Sequence, residues 1–459
     1  MSIDIVYVVI LSTILLFVGL LPLALELIRG KADPLNPRNL FLLYLLLQIG
    51  VYPLYVIASG RGFKLLDINS RDDIRSLCLG LFISIIAIIC YHLGYMAVMQ
   101  QTARHAKDRI YVFNPNRVVV VLIAILPLSA YFAYLVFLER GGFSGYVETF
   151  NEKRYSGGGG GYQSFFSSGF VCFLAILAFL GGRNSVFSKK LWRVSAVLFA
   201  FSLILTGLGG FRVSMAPVLL SGIACYHYYV RRLRPAEFFV VLLLVIILFS
   251  VYGISRALLE ARSSNQDIDV LEGRISVIDS VVLRSAGAEM VAITVAHVDQ
   301  HKNFQYFLPG LLEAVSILVP RALWEGKPVP QGLVFGQQFM EYYMFIQRGG
   351  LSAETGGHSM TAVAYLYWQM GIWAVIFGMI FLGAFFGLLY RLFCESARND
   401  LVAFLFLSIY GSSPMFSEAL QESINALVIT IFLVIFLSVF VTDSRSVKVP
   451  SGPLNSRAS

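Results

Sequence analysis

Ser359–Leu389 reads SMTAVAYLYWQMGIWAVIFGMIFLGAFFGLL, 31 residues without a single charged side chain. The hydrocarbon core of a bilayer is about 30 Å thick, and a straight helix crosses it in about 20 residues. The run is therefore a transmembrane span with residues to spare. We predict a kink or elbow near Gly371, with the part before it protruding outward from the membrane.

Apolar runs of this kind recur along the whole chain of 459 residues. The chain is 57% hydrophobic and 14% charged, with a mean hydropathy of +0.74, whereas soluble proteins carry about a quarter charged residues. Long continuous runs indicate helices and not the alternating strands of a barrel. The first run is too long for a signal peptide and lacks a cationic head, so we expect a retained span. The sequence predicts an all-α polytopic membrane protein with about eleven transmembrane helices, near 4–28, 40–59, 77–100, 118–138, 165–182, 194–208, 214–230, 237–253, 371–390, 401–414 and 427–442.

The Lys and Arg residues of the short loops predict the orientation. One set of loops (29–39, 101–117, 183–193, 231–236, 391–400 and 443–459) holds 19 cations in 72 residues, and the opposite set holds 8 in 59. Cytoplasmic loops carry the excess of cations. We therefore expect an outer N-terminus and four parts: N-terminal spans over 1–253, a large extracytoplasmic loop over 254–358, C-terminal spans over 359–442 and a cytoplasmic tail over 443–459.

The large loop contains the least expected stretch, LVPRALWEGKPVPQG from Leu318 to Gly332. Loops longer than about 60 residues escape the positive-inside bias, so topology does not account for their cations. The segment Ser280–Val298 is helix-like, and Phe304–Val319 is an apolar piece along the bilayer surface. We expect a folded lid over the membrane, although a solvated loop with surface charges would have a similar composition. Its cations are Arg256, Arg262, Arg274, Arg284, Arg321, Lys327 and Arg348.

Polar groups also lie where a bilayer should exclude them. Arg212 occupies a glycine-rich break, TGLGGFR, between two spans, and Arg256 follows the eighth span. An ionisable residue at such a place suggests function, whereas snorkelling to the headgroups is the structural alternative. His358 precedes the apolar run in a glycine-rich turn. The five glycines at 157–161 follow Arg154 and are either a flexible connector or a backbone phosphate cradle.

Three pieces carry a resemblance to a known family: TGLGGFR before a span, VPRALWEGKP in the long outer loop, and GGHSMTAVAYLYWQMG. With the many-span layout and one late outer loop, the chain resembles the Wzy-type oligosaccharide repeat-unit polymerases of O-antigen, capsule and exopolysaccharide. It is more distantly similar to the O-antigen ligases. The family's glycine-arginine break usually reads closer to Gly-Ser-Arg than the GGFR found here, which bears on the role of Arg212.

The resemblance implies a glycosyltransferase of GT-C-like helical architecture in the bacterial inner membrane, with its active site facing the periplasm. Such enzymes move a growing glycan from undecaprenyl diphosphate onto the non-reducing end of a second lipid-linked unit. A chain-length regulator protein is a possible further partner, and nucleic acid is not expected. Arginines would stabilise the leaving diphosphate, because guanidinium groups bind phosphate oxygens in pairs.

These expectations assign roles to residues of this chain. His358 would be the base that takes the proton of the acceptor hydroxyl, with Glu289 in reserve. Arg212 and Arg284 would be catalytic cations. Substrate contacts would come from Arg154, Arg256, Arg321, Trp324, Lys327 and Arg348. The alternative for Trp324 and Lys327 is an interfacial anchor and a headgroup contact.

No cofactor or metal is expected, because the sequence has no P-loop, no nucleotide-binding glycine pattern and no metal-ligand spacing. The five cysteines predict no disulfide framework, since none falls on the outer side. Two other functions stay open. An O-antigen ligase would use the same donor but a different acceptor. A glycolipid transporter would show internal repeats and polar breaks in corresponding halves.

Overall fold

A computed structural model describes residues 3–30, 33–60, 62–63, 66–67, 69–100, 111–139, 169–183, 188–208, 212–234, 236–241, 243–245, 287–302, 304–316, 360–396, 399–411 and 420–443, and the single positions 247, 251, 319, 324, 326, 327 and 416. For these residues, the prediction of an all-α fold is confirmed. The helices are α1 (Ile3–Ile28), α2 (Pro37–Leu46), a π-helical turn (Leu47–Val51), α3 (Tyr52–Ala58), α4 (Arg71–Met99), α5 (Pro115–Glu139), α6 (Phe170–Arg183), α7 (Ser188–Leu208), α8 (Arg212–Tyr229), α9 (Gly287–His301), α10 (Leu308–Ser316), α11 (Ala362–Glu395), α12 (Asp400–Tyr410) and α13 (Leu420–Val441). A two-residue strand β1 (Val112–Phe113) pairs antiparallel with β2 (Thr442–Asp443).

Polar side chains begin several of the long helices. The side chain of Asn36 accepts a hydrogen bond from the amide of Arg38, ahead of Pro37 in the first turn of α2. Ser70 and Thr361 cap α4 and α11 in the same manner. A capping oxygen satisfies an amide that has no partner within the helix, and proline suits a first turn. Short polar segments thus set where the apolar runs begin.

Among the residues that the structure describes, six helices are long and apolar enough to cross a membrane: Asp4–Ile28, Pro37–Ala58, Arg71–Met99, Pro115–Leu135, Ala362–Glu395 and Ser423–Val441. Their outward side chains are large and apolar, as at Phe17, Phe381 and Val439, which suits contact with lipid. Helices also cover much of the other predicted spans. Of these, α6 has 14 residues and α12 has 11, fewer than the roughly 20 of a full crossing. The total of about eleven spans therefore stays a prediction.

The bundle has two ends, which contacts between helix termini define. Tyr390 near the end of α11, His227 and Tyr228 near the end of α8, and Asp33 in the turn after α1 come together at one of them, the Asp33 end. The ends of α4 and α6 and the β1–β2 ladder lie there too, through Arg391–Val98 and Arg183–Asp400 contacts. The starts of α4, α11 and α13 lie at the opposite end, named the Glu289 end after a residue of α9.

Two hydrophobic cores fill the bundle. The first contains buried residues of α1 to α4, α9 and most of α11, together with Leu420 of α13. The second contains buried residues of α5 to α8, α12 and α13, together with Leu40 of α2 and Leu389 and Phe393 of α11. Phe385 of α11 and Leu427 of α13 pack against both cores. The helix α9 lies within the predicted large loop, yet it shares the first core with predicted spans. This helix of the predicted loop is therefore folded into the bundle.

The predicted elbow in α11 is confirmed. Met370 has φ −151° and ψ 32°, and Gly371 has φ 62° and ψ −147°, so the helix breaks between two straight parts. The conformation of Gly371 is one that side chains with a Cβ rarely adopt. Residues Ala362–Gln369 before the break are buried in the protein. Their protrusion from the membrane stays a prediction.

Candidate functional site

The helix α9 places Glu289 inside the Glu289 end of the bundle. Its sequence, GAEMVAITVAHVDQH, is small and apolar over its first half, and every residue from Gly287 to Val295 is buried. Gly80 of α4 allows close approach, because a Cβ there would lie 3.2 Å from the amide nitrogen of Ala292. Gly287 similarly packs against Gln48 and Thr361. The helix is therefore wedged between the π-helical turn, α4 and the start of α11.

Glu289 is a fully buried carboxylate, with 0% of its surface exposed. The Tyr52 hydroxyl donates a hydrogen bond to its Oε1, and the backbone amide of Leu66 donates to its Oε2 over 3.0 Å. It also lies in the first turn of α9, where the helix dipole favours negative charge. An ionised carboxylate, which accepts at both oxygens, matches these donors. Such a group could also accept a proton from a neighbouring hydroxyl.

A second buried polar side chain, Gln48, lies beside α9. It belongs to the π-helical turn Leu47–Val51 and is buried, and within the described part of the chain its Oε1 accepts no hydrogen bond. π-helical turns occur often at functional sites. Our reading of the sequence missed Gln48 and Tyr52. The available signal was a glutamine inside an otherwise apolar run.

The far half of α9 carries a histidine pair that the sequence reading also missed. The rings of His297 and His301 stack with centroids 4.4 Å apart. Burial, followed by the neighbouring His301, lowers the pKa of His297 below its ordinary value. The imidazole is therefore neutral, and able to accept a proton, over a wider pH range than a free histidine. Next to it, Asp299 accepts a hydrogen bond from the Tyr367 hydroxyl at 2.9 Å.

Two of the predicted substrate contacts, Trp324 and Lys327, lie in one turn. The amide of Lys327 donates to the carbonyl of Trp324 over 3.2 Å, and the Lys327 ammonium donates to the carbonyl of Val319 over 2.9 Å. The Trp324 ring is exposed. These contacts close the turn. They leave its exposed indole face free to meet either a sugar ring or the headgroup layer.

The structure describes few of the other predicted site residues. Arg212 is the first residue of α8, so its backbone lies at the end of that helix opposite His227 and the Asp33 end. Its side chain is outside the described residues. The predictions for Arg154, Arg256, Arg284, Arg321, Arg348 and His358 lie wholly outside them, as do Arg262 and Arg274. The proposed meeting of the arginines with the histidine thus stays a prediction.

The Asp33 end contains a polar cluster that our reading of the sequence did not single out. The hydroxyls of Tyr390 and Tyr228 donate to Asp33 Oδ2 at 2.7 and 3.1 Å, and the amide of Leu35 donates to Oδ1 at 3.0 Å. His227 Nε2 lies 3.3 Å from Oδ1. Because His227 Nδ1 accepts from the amide of Leu233, the ring hydrogen belongs on Nε2, facing Asp33. One carboxylate therefore joins the turn after α1 to the ends of α8 and α11.

An arginine beside this cluster joins two more helices. Arg38 is buried, pairs with Glu26 of α1 over 2.6 Å, and lies 4.7 Å from the centroid of the Tyr95 ring of α4. Asn36 donates to the Tyr95 hydroxyl at 2.7 Å. A buried charge is tolerated only when it is paired and hydrogen-bonded. The polar turn at 33–39 thus acts as a structural joint between helix ends.

Because Asp33 is part of this joint, we expect the stability of the fold to depend on pH. Burial raises the pKa of Asp33, but the hydrogen bonds from His227 and Tyr390 outweigh it, and the net pKa lies below the ordinary 3.8. A carboxyl whose pKa is lower in the folded state stabilises the fold above pH 3.8, and that stabilisation disappears as the pH falls through the folded pKa. We expect Asp33→Asn to cost about 2 kcal/mol at neutral pH, and the difference from the parent protein to shrink below pH 3.8.

Unfolding in detergent micelles, followed by fluorescence at several pH values, measures this difference. Asp72→Asn, an exposed acid in the first turn of α4, is the matched control and should change stability by only a few tenths of a kcal/mol. A loss in Asp33→Asn that is the same at every pH would refute the charged joint.

The two polar clusters described above lie at opposite ends of the bundle. The Glu289 end contains the buried carboxylate of Glu289 with its donors Tyr52 and Leu66, and the Asp33 end contains the structural joint. Within the described residues no group of three or more His, Cys, Asp or Glu side chains could hold a metal ion. No protein-family model matches the chain, and no curated protein or solved structure is significantly similar to it.

Proposed function

We propose that the protein is an integral-membrane polysaccharide polymerase, which joins undecaprenyl-diphosphate-linked repeat units at the outer face of the bacterial inner membrane. The observation that most supports the proposal is the burial of the Glu289 side chain. A fully buried carboxylate is held between two donors at the end of a helical membrane protein, on a helix that the long loop after the eighth predicted span contributes. Buried acids are costly, and one at this place suits proton transfer during the reaction.

The distribution of cations supports an outward-facing Glu289 end. Cations are concentrated at cytoplasmic ends of membrane proteins. The Asp33 end carries Arg29, Arg38, Arg117, Arg183, Lys189, Lys190, Arg193, Arg231, Arg232, Arg234 and Arg391. The Glu289 end carries Arg71, Arg75, Arg212, Lys302 and Lys327. With the Asp33 end in the cytoplasm, Glu289 faces the leaflet where lipid-linked repeat units are joined.

The proposed reaction is a single displacement at the anomeric carbon of the donor. The hydroxyl oxygen of the acceptor sugar forms a bond to that carbon, and the bond to the diphosphate oxygen breaks with both its electrons on the leaving group. His358, or Glu289 in its place, takes the hydroxyl proton. Arg212, Arg284 and the loop cations would neutralise the charge that develops on the diphosphate.

The decisive experiment is a deletion strain of the source bacterium, followed by electrophoresis of its lipid-linked glycans. A polymerase deletion leaves single repeat units on undecaprenyl diphosphate, and the intact gene should restore the ladder. Polymer that accumulates on undecaprenyl diphosphate would instead identify a ligase. Repeat units retained on the cytoplasmic side would identify a transporter. In the restored strain, Arg212→Ala and His358→Ala should each return the short pattern at unchanged protein level, and full ladders in both would refute their roles.

A further inference from the structure

The helix α10 has its polar side inside and its apolar side outside. Among the described residues, its exposed side chains and those of the two residues before it are all large and hydrophobic: Tyr306, Phe307, Leu308, Leu311 and Leu312. Glu313, the only charged residue between Phe304 and Ser316, is 6% exposed and accepts a 2.6 Å hydrogen bond from Asn425. A helix that faced water would show the reverse arrangement. The outer face of α10 is therefore built for an apolar surrounding.

Backbone contacts attach the segment before α10 to the elbow of α11. The amides of Gln305 and Tyr306 donate to the carbonyls of Trp368 and Gln369, over 3.2 and 3.1 Å. The amide of Phe307 donates to the side-chain Oε1 of Gln369 over 2.7 Å. These donors therefore bind the two residues of α11 that come just before the break at Met370 and Gly371. The segment is thus held firmly at the elbow.

The conformation of this segment is specific. Lys302, Tyr306 and Phe307 have φ angles of 51°, 53° and 59°, a region in which residues other than glycine are uncommon and in which the backbone stores strain. With this conformation, the Tyr306 and Phe307 side chains are exposed while their amides bind the elbow. A chain that merely crossed from one helix to the next would have no need of it.

Two contacts place α10 at the boundary of the membrane. Asn425, its partner, lies in the first turns of the candidate span Ser423–Val441. The elbow begins the straight part Gly371–Glu395 of α11, which rises roughly 37 Å, enough for the hydrocarbon core with a little to spare. One anchor point is therefore at the start of a span, and the other lies where the part of α11 that is long enough to cross begins. Just after the elbow, Trp373 and Phe377 of α11 are also exposed and apolar.

From this geometry we infer that α10 and its lead-in residues Tyr306 and Phe307 are an interfacial helix, whose outer face is immersed in the lipid at the headgroup–acyl boundary of the leaflet on the Glu289 side. The occupant of the face is the phospholipid of the bilayer itself. The strained residues Tyr306 and Phe307 and the Glu313–Asn425 pair hold the helix at that depth. The inference does not rest on the proposed enzymatic activity.

Site-directed spin labelling of the full chain in phospholipid vesicles tests the inference. In a background with the five native cysteines replaced by alanine, single labels would be placed by Leu311→Cys, Phe381→Cys and Lys302→Cys. Phe381 is 74% exposed in the middle of α11 and is the lipid reference, whereas exposed Lys302 is the water reference. The measurement is the ratio of collisions with oxygen, which concentrates in lipid, to collisions with a water-soluble nickel chelate.

We expect the ratio at Leu311 to exceed that at Lys302 clearly and to approach that at Phe381. A ratio equal to that at Lys302 would mean that the face meets water, and the inference would be wrong. Protection of Leu311 from both reagents would mean that a protein surface covers it, which overturns the inference equally. Because Leu311 is itself exposed at 63%, the label should not disturb folding, and an unchanged elution volume in detergent checks this.

Discussion

Gly383→Ala should destabilise the protein strongly, although it adds only one methyl group. The helices α4 and α11 run side by side and touch through their backbones, and a Cβ at Gly383 would overlap the carbonyl oxygen of Tyr91. Small residues allow such close approach between membrane helices. Because the obstacle is backbone, no side-chain rotation relieves the overlap. We expect a loss of roughly 3 kcal/mol, at the upper end of the range for overpacked sites.

Two variants make this test specific. Gly222→Ala is the matched control, since a Cβ there meets only side-chain atoms of Phe199, the nearest at 3.7 Å. It should be neutral or slightly stabilising, because alanine favours a helix more than glycine does. Gly94 lies on the facing helix, where a Cβ would overlap the carbonyl oxygen of Ile380. If one alanine already separates the helices, Gly94→Ala should cost less in the Gly383→Ala background than alone.

Thermal unfolding of the purified variants in detergent measures these differences. Equal midpoints for Gly383→Ala and Gly222→Ala would show that α4 and α11 are not in backbone contact. Strictly additive losses in the double variant would show that the two glycines act at independent places. Either result would contradict the packing on which the position of the Glu289 end depends.

With Glu289 acting as the base in place of His358, Glu289→Gln should abolish ladder formation in the restored deletion strain. If the carboxylate takes the proton of the attacking hydroxyl, its loss removes general base catalysis, which contributes about 10²-fold to 10⁴-fold in rate. Glutamine has nearly the same shape and keeps an oxygen that can accept from Tyr52 or Leu66. The fold should therefore survive, and single lipid-linked repeat units should accumulate.

Glu313→Gln provides the matched control for this variant. Glu313 is a second buried acid at the same end of the bundle, paired with Asn425, and no catalytic role is proposed for it. It should retain full ladders. Tyr52→Phe removes one hydrogen-bond donor to Glu289. It should lower the rate of polymerisation and shift the pH dependence of that rate, without abolishing polymerisation. Full ladders from Glu289→Gln, at normal protein level, would exclude Glu289 as the base.

Local patterns in the sequence predicted much of the helical architecture. The uncharged run at 359–389 predicted both a span and an elbow near Gly371, and both are present, because helical length and the conformational freedom of glycine are local properties. The apolar runs placed most of the described helices to within a few residues. The candidate functional site was harder to predict from the sequence. The sequence indicated Glu289 only as a reserve base. Its hydrogen-bond partner Tyr52 could not be predicted from the residues around Glu289, because the two lie 237 positions apart in the chain.

The sequence by itself determined that this chain is a helical membrane protein, where its apolar helices lie, and which of its loops carry the cations. Only the tertiary structure decided that α9 belongs to the core of the bundle, that Glu289 is buried between Tyr52 and Leu66, and that Asp33 joins three helix ends. The physical reason is the range of the forces. Hydrophobic periodicity and helix capping act over a few residues, whereas the partner of a buried polar group is chosen by packing between distant segments.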